Sequence, residues 1–344
     1  MSAKNTQPVV LAKVPLSTPW QTLDPFLFCM HHNDQYPAGN EKMGPAASLE
    51  GRQIGQDFSN KDGWSMYHGE EVPGFPRHPH RGFETITIAR NGFIDHADSL
   101  GATARFGQGD VQWMTAGNGV VHSETFPLVN RDKPNPTELF QVWLNLPRAN
   151  KKEDAYFTMF WHEQIPNKTV TDAAGKRSEI SVVAGVLDEL TPLTPPPSSW
   201  AARDDSDVAV WTLKMEAGAE WSVPPAHPES TRIIYFFEGD ACTVGGESIP
   251  ARHAVQVRAD AACVIQNGDT PGEFLILQGR PIGEPVVKQG PFVMNTPGEI
   301  RQTMLDYHHT GFGGWPWDQD SPVHPADEGR FAIHADGRRE TPTS

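Results

Sequence analysis

His78-Pro79-His80-Arg81-Gly82-Phe83-Glu84 is the stretch on which the reading of this chain turns, and His122-Ser123-Glu124 answers it further along. In a β-strand, residues i and i+2 point to the same face. His78 and His80 therefore aim two imidazoles at one point, and His122 and Glu124 do the same from a second strand. Two such strands facing each other place three histidines and one glutamate around one metal ion. Imidazole and carboxylate together suit Fe, Mn, Co, Ni, Cu or Zn, and a six-coordinate ion held by four protein ligands keeps two positions for water or substrate. An isolated H-x-H is more often a pair of surface histidines; the second pair, following glycine-marked turns, is what favours a site. Pro79 cannot donate to a ladder, so its segment is expected to be an edge strand, a strand start or a bulge.

Working outward, the chain has 344 residues, enough for two domains of ordinary size. No run of about 18 apolar residues marks a membrane span. Residues 1–20 are polar and proline-containing where a signal peptide needs an apolar core, so the cytoplasm is the expected compartment. Cys29, Cys242 and Cys263 are odd in number and widely spaced, which implies neither a disulfide framework nor a C-x-x-C metal knuckle. The net charge is −15 with no basic block, which argues against direct nucleic-acid binding, because phosphate neutralisation needs clustered Lys and Arg.

Before the motif, Val9 to Val14 and Leu23 to Phe28 read as strands. A long irregular stretch runs from His31 to about Phe75, with Trp64 and Tyr67 as anchors and His31, His32 and His68 as loop histidines. After the motif the pattern is all-β. Glu84 to Ile88 alternates at period two, Asn91-Gly92 signals a hairpin, and short strands continue to Leu146. The second half repeats this texture without a second H-x-H or H-x-E; His227 and His253 are isolated. Glu299 to His308 reads as a helix, with Ile300, Met304 and His308 recurring at i+4. Trp315, Trp317 and Phe331 imply a tail that packs rather than floats. The expected division is 1–148 for a metal-bearing barrel, 149–310 for a second barrel without ligands, and 311–344 for the tail.

The residues that carry the chemistry also carry a resemblance. Gly74-Phe75-Pro76-Arg77-His78-Pro79-His80-Arg81-Gly82-Phe83-Glu84-Thr85 resembles the signature of the pirin family of bicupins, as does Gly109 to Glu124. Glu284-Pro285-Val286 and Gly290 to Thr296 resemble that family's second domain. The resemblance implies an all-β fold of two cupin barrels, of double-stranded β-helix or jelly-roll type, arranged face to face, with a short C-terminal helix. It implies one iron in the N-terminal barrel, held by His78, His80, His122 and Glu124. Glu84 stands where many other cupins place a carboxylate ligand, and here it is assigned to the surroundings of the site. Relatives of this kind are known as quercetin 2,3-dioxygenases, and some as transcriptional co-regulators or binders of metabolic enzymes. The segment from His31 to Val72 and the tail after Gly311 are longer than in the shorter pirins, so both are candidates to shape the mouth of the site.

The expected activity is a metal-dependent dioxygenase acting on a flavonol such as quercetin, with Fe(II) as cofactor and a small aromatic substrate plus O2 as partners. Glu124 or Glu84 would take the proton of the flavonol 3-hydroxyl. Phe83, Trp113, Met114 and His96 are candidate pocket residues. The alternative is a non-catalytic iron protein that senses redox state and binds a protein partner. An isomerase or decarboxylase is a third reading, since fold does not fix function.

Overall fold

The computed structural model describes residues 8–342 of the chain. These residues form antiparallel sheets with, among them, a single α-helix, Pro297–Thr310. No helix among them is long and apolar enough to cross a membrane.

The chain divides into two compact units, but not at residue 148. One unit joins the described residues up to Cys29 to Ile165–Gly283, and the other joins Met30–Gln164 to the chain from Glu284 onward. The reason is long-range strand pairing. Val10–Pro15 adds to the edge of His253–Arg258, with Val10 opposite Val257 and Pro15 opposite His253. The start of the chain thus completes the second barrel, while the helix and tail belong with the first. A division drawn at 148/149 and again at 310/311 misses both crossings.

The unit containing Ile165–Gly283 has a seven-stranded and a four-stranded sheet. Its strands show the alternation that burying one face demands. In Cys263–Asn267 the first, third and fifth residues are buried and the two between them exposed. The core collects Trp211, Ile234, Phe236, Phe274 and Ile276, all apolar.

The other unit has a five-stranded sheet, ordered Tyr156–Phe160, Val111–Thr115, Phe83–Asn91, Asn135–Asn145 and Phe26–Tyr36. Its six-stranded sheet is ordered Arg339–Glu340, Phe331–Ile333, Thr103–Gly107, Phe93–Asp98, Val120–Thr125 and Gly74–His80. Phe106, Phe126, Leu128, Leu139 and Phe157 are part of its core. The tail contributes a strand here, Phe331 lying opposite Arg105 and Ile333 opposite Thr103.

The long stretch after His31 begins as strand, because Phe26–Tyr36 runs on through it. Farther along, a buried cation rather than a ladder orders the chain. Arg52 donates to Asp57 Oδ2 at 2.9 Å, to the Trp64 carbonyl at 2.8 Å and to the Lys61 carbonyl at 2.6 Å. Its guanidinium lies 3.3 Å from the centre of the Trp64 ring. Tyr67, the other expected anchor, donates its hydroxyl to Asp34 Oδ2 at 2.7 Å.

The helix has the caps its sequence encodes. Thr296 Oγ1 accepts from Glu299 N at 3.2 Å, and Glu299 reaches back to accept from Asn295 N at 3.1 Å. Pro297 opens the helix, where its missing N–H costs nothing. Gly311 ends it at φ 54°, in the left-handed region that favours glycine.

Candidate metal centre

The two motif strands are neighbours. Gly74–His80 pairs antiparallel with Val120–Thr125, and His78 sits directly opposite His122. Gly74–His80 is the outermost strand of its sheet, and its register shifts between Phe75 and His78. Both features suit a strand carrying Pro76 and Pro79, neither of which can donate to a ladder. Gly82 then turns the chain into Phe83–Asn91 at φ 86°; a Cβ there would meet the Val293 carbonyl oxygen at 2.0 Å, so only glycine fits.

The three histidine rings converge. Centroid distances are 4.7 Å for His78–His80, 4.5 Å for His78–His122 and 4.9 Å for His80–His122. One ligand atom from each lies within 4.8 Å of the others. Assigning a proton to Nδ1 of His78 lets it donate to the Pro76 carbonyl at 2.9 Å, which leaves the Nε2 lone pair free. That Nε2 faces His122 Nε2 at 3.1 Å. Burial holds all three histidines below the usual range, His78 at about 4, with His80 and His122 likewise well below it, and the neighbouring histidines push the same way. All three are therefore neutral at pH 7, the form that binds a metal.

Glu124 lies just beyond the three rings. Its Oε2 is 3.8 Å from His122 Nε2. The carboxylate is held by Thr87 Oγ1, which donates to Oε1 at 3.1 Å, and by Gln141 Nε2, which donates to Oε2 at 3.3 Å. Burial raises its pKa, and His96, Thr87 and Gln141 pull it back down. His96 stands opposite Glu124 on the adjoining strand, its ring 5.5 Å from that of His122 and its Nε2 3.2 Å from Asp98 Oδ2. Phe83 and Trp143 wall the His80 side, with ring centroids 5.1 Å and 5.5 Å from it.

Not every expected residue joins the cluster. Glu84 pairs with Thr115 and Leu144 across its neighbours, whereas Thr87 pairs with Gln141. Thr87 reaches Glu124, so strand alternation turns Glu84 to the opposite face of the sheet. There it is fully buried and accepts from Thr115 Oγ1 at 2.6 Å. This placement removes Glu84 from reach as a proton acceptor. Trp113, opposite Ile86, shares that far face, while Phe83 and Met114 keep to the near one. His31 pairs with Glu138 at 2.9 Å, and His32 is buried against Tyr67. His68 packs on Phe75, whose ring lies 6.3 Å from that of His78, so the long loop does flank the cluster.

Four supporting residues escaped the sequence reading. Thr87 and Gln141 orient Glu124; Thr87 was legible as an alternating position, but its target was not. Arg81 and Lys151 brace the motif turn. Arg81 donates to Asn118 Oδ1 at 2.6 Å and to Asp306 Oδ2 at 2.7 Å, and Lys151 donates to the Gly82 carbonyl at 2.7 Å and the Val293 carbonyl at 3.2 Å.

The donor set fits a bound cation. Three neutral imidazoles each bring one ligand atom within 4.8 Å of the others, and the Nε2 atoms of His78 and His122, 3.1 Å apart, need a proton or a cation between them. Comparison with known proteins agrees with this geometry. Residues 10–144 match the Pirin family and residues 210–313 the Pirin C-terminal cupin domain. The chain is 34% identical over 245 residues to Pirin-1 of Arabidopsis thaliana, covering 70% of this chain and 78% of that protein. It is 31% identical over 275 residues to Pirin of Mus musculus, covering 76% and 88%. A crystal structure of quercetin 2,3-dioxygenase from Acinetobacter baumannii is similar with a TM-score of 0.69 at 25% identity, covering 90% of this chain and 99% of that one. With both of its cupin-type halves matched and its histidine pairs brought together on neighbouring strands, the chain belongs to the pirin family.

Proposed function

We propose that the chain is an iron-dependent dioxygenase that cleaves a flavonol such as quercetin. The observation that carries this reading is the cluster of three neutral histidines, His80 and His122 buried and His78 half-buried, with a held glutamate beside it. The likeness to a structure described as quercetin 2,3-dioxygenase supports the substrate class. His78, His80, His122 and Glu124 would hold the ion. Bound Fe(II) supplies Lewis acidity and one-electron chemistry towards O2.

The rest of the work falls to the chain's own groups. Phe83 and Trp143, with centroids 4.3 Å apart and planes tilted by 34°, pack beside His80 and keep water from that side of the cluster. Glu124 receives the proton of the flavonol 3-hydroxyl, and Thr87 and Gln141 keep its oxygens oriented for that transfer.

The test is to measure the metal content of purified protein and follow quercetin absorbance together with O2 uptake. Loss of absorbance with matching O2 consumption is expected. Iron-loaded protein that leaves quercetin untouched would remove the substrate and leave the site intact.

A further inference from the structure

The unit that carries the histidine cluster also has a cavity, about 410 Å³ in volume and open to the surface, that none of the four expected ligand residues lines. Its inner surface is apolar, formed by Met114, Val120 and Phe157, and its outer part is polar, formed by His334, Asp336 and Arg338 of the tail. The volume falls in the range of small-molecule sites, and so does the character: an apolar body with a few convergent polar groups.

The lining narrows the class of occupant. His334 stacks on Phe157, with centroids 4.7 Å apart and planes at 20°, and both aromatic side chains line the cavity, which favours an aromatic occupant. Asp98 also borders the cavity, but its oxygens are already engaged. Oδ1 accepts from Leu100 N and Ala102 N, and Oδ2 pairs with His96. The deep end therefore offers no free charge to balance an ion. Asp336 and Arg338 bring both signs to the exposed outer part; Asp336 Oδ1 accepts from Arg338 N and Arg338 donates to Glu340 Oε2, which leaves Asp336 Oδ2 and the remaining guanidinium N–H groups to meet a hydroxyl or amide.

The geometry points to a binding site for a small, uncharged, flat aromatic molecule of one or two rings, its polar substituent directed towards Asp336 and Arg338. His334, Asp336 and Arg338 lie beyond residue 313, where the match to the Pirin C-terminal cupin domain ends. The tail thus supplies the polar end of the site, and the site stands whether or not the metal centre cleaves flavonols.

The test uses 4-bromophenol, which is neutral at pH 7. Crystals of the full, metal-loaded chain are soaked and the bromine located by its anomalous signal, and binding is titrated in solution by calorimetry. A bromine peak between Met114 and Phe157 and saturable binding are expected. Two separate cavity-filling variants, Ala155→Trp and Leu100→Trp, should each weaken binding at least ten-fold with metal content unchanged. His80→Ala should still bind the probe. Bromine only at the histidine cluster, or equal affinity in wild type and both filled variants, would overturn the proposal. Density at soaking concentration without saturable binding in solution would mean an adventitious additive only, and would overturn it equally.

Discussion

His78 and His122 face each other across one antiparallel ladder with their Nε2 atoms 3.1 Å apart, His122 buried and His78 half-buried. Two ring nitrogens so placed are stable together only around a proton or a cation. Replacing His80 by Ala removes the third donor, and metal retention should then be lost, as read by elemental analysis after dialysis. Circular dichroism should stay that of the wild type, because the change leaves the ladder in place. Iron occupancy unchanged in the variant would contradict the assignment.

Glu124 and Glu84 should separate cleanly. Glu124→Gln keeps the size but loses the anionic donor, so metal affinity and quercetin turnover should both fall, by about ten-fold or more. Glu84→Gln sits on the far face beside Thr115 and should leave metal content within error of wild type. Thr87→Val tests the orienting contact; a loss of about ten-fold in metal affinity is the scale expected for a residue that positions a ligand. Glu84→Gln that emptied the site while folding normally would place the wrong carboxylate at the centre.

Acid should unlock the long loop before it unfolds the rest. Burial tends to raise the Asp57 carboxyl, but hydrogen bonds from Ser59, Met66 and Arg52 outweigh it and hold the pKa at about 2, against an ordinary 3.8. A carboxyl depressed in the folded state contributes stability that is present above about 4 and is lost as pH falls towards about 2. Hydrogen exchange or proteolysis of residues 50–67 should therefore rise across that window. Arg52→Ala should produce the same loosening at pH 7 and cost about 3–5 kcal/mol, because it strands a buried carboxylate. An equally protected loop in Arg52→Ala would show that the ion pair does not hold it.

Arg105 should decide whether the tail stays docked. It is fully buried, donates to both oxygens of Asp95 at 2.7 Å, and caps the His324 and Pro325 carbonyls at 3.0 and 2.6 Å. Arg105→Ala should destabilise the unit by about 3–5 kcal/mol and speed proteolytic cleavage between residues 311 and 330. Arg105→Lys should not rescue it, since an ammonium cannot reproduce the planar fork. Cleavage at the wild-type rate in both variants would mean that other contacts secure the tail.

The pairing of the candidate ligands on shared strand faces was legible in the chain because the i, i+2 rule is local. His78 and His80, or His122 and Glu124, must share a face of any strand that contains them, and Pro79 must lie where no ladder donor is needed. The helix beginning at Pro297 was legible for the same reason, since its caps lie within a few residues of its ends. Local alternation also separates Glu84 from Thr87, but it cannot say which of the two faces meets the histidines. That depended on how Phe83–Asn91 pairs with Asn135–Asn145 and where the sheet closes. Which barrel owns Val10–Pro15, where the tail returns, and which carbonyls Arg105 and Lys151 cap were equally invisible. Strand partners far apart in sequence are chosen by shared burial and hydrogen bonding across the whole sheet, and such pairing leaves little trace in either segment alone.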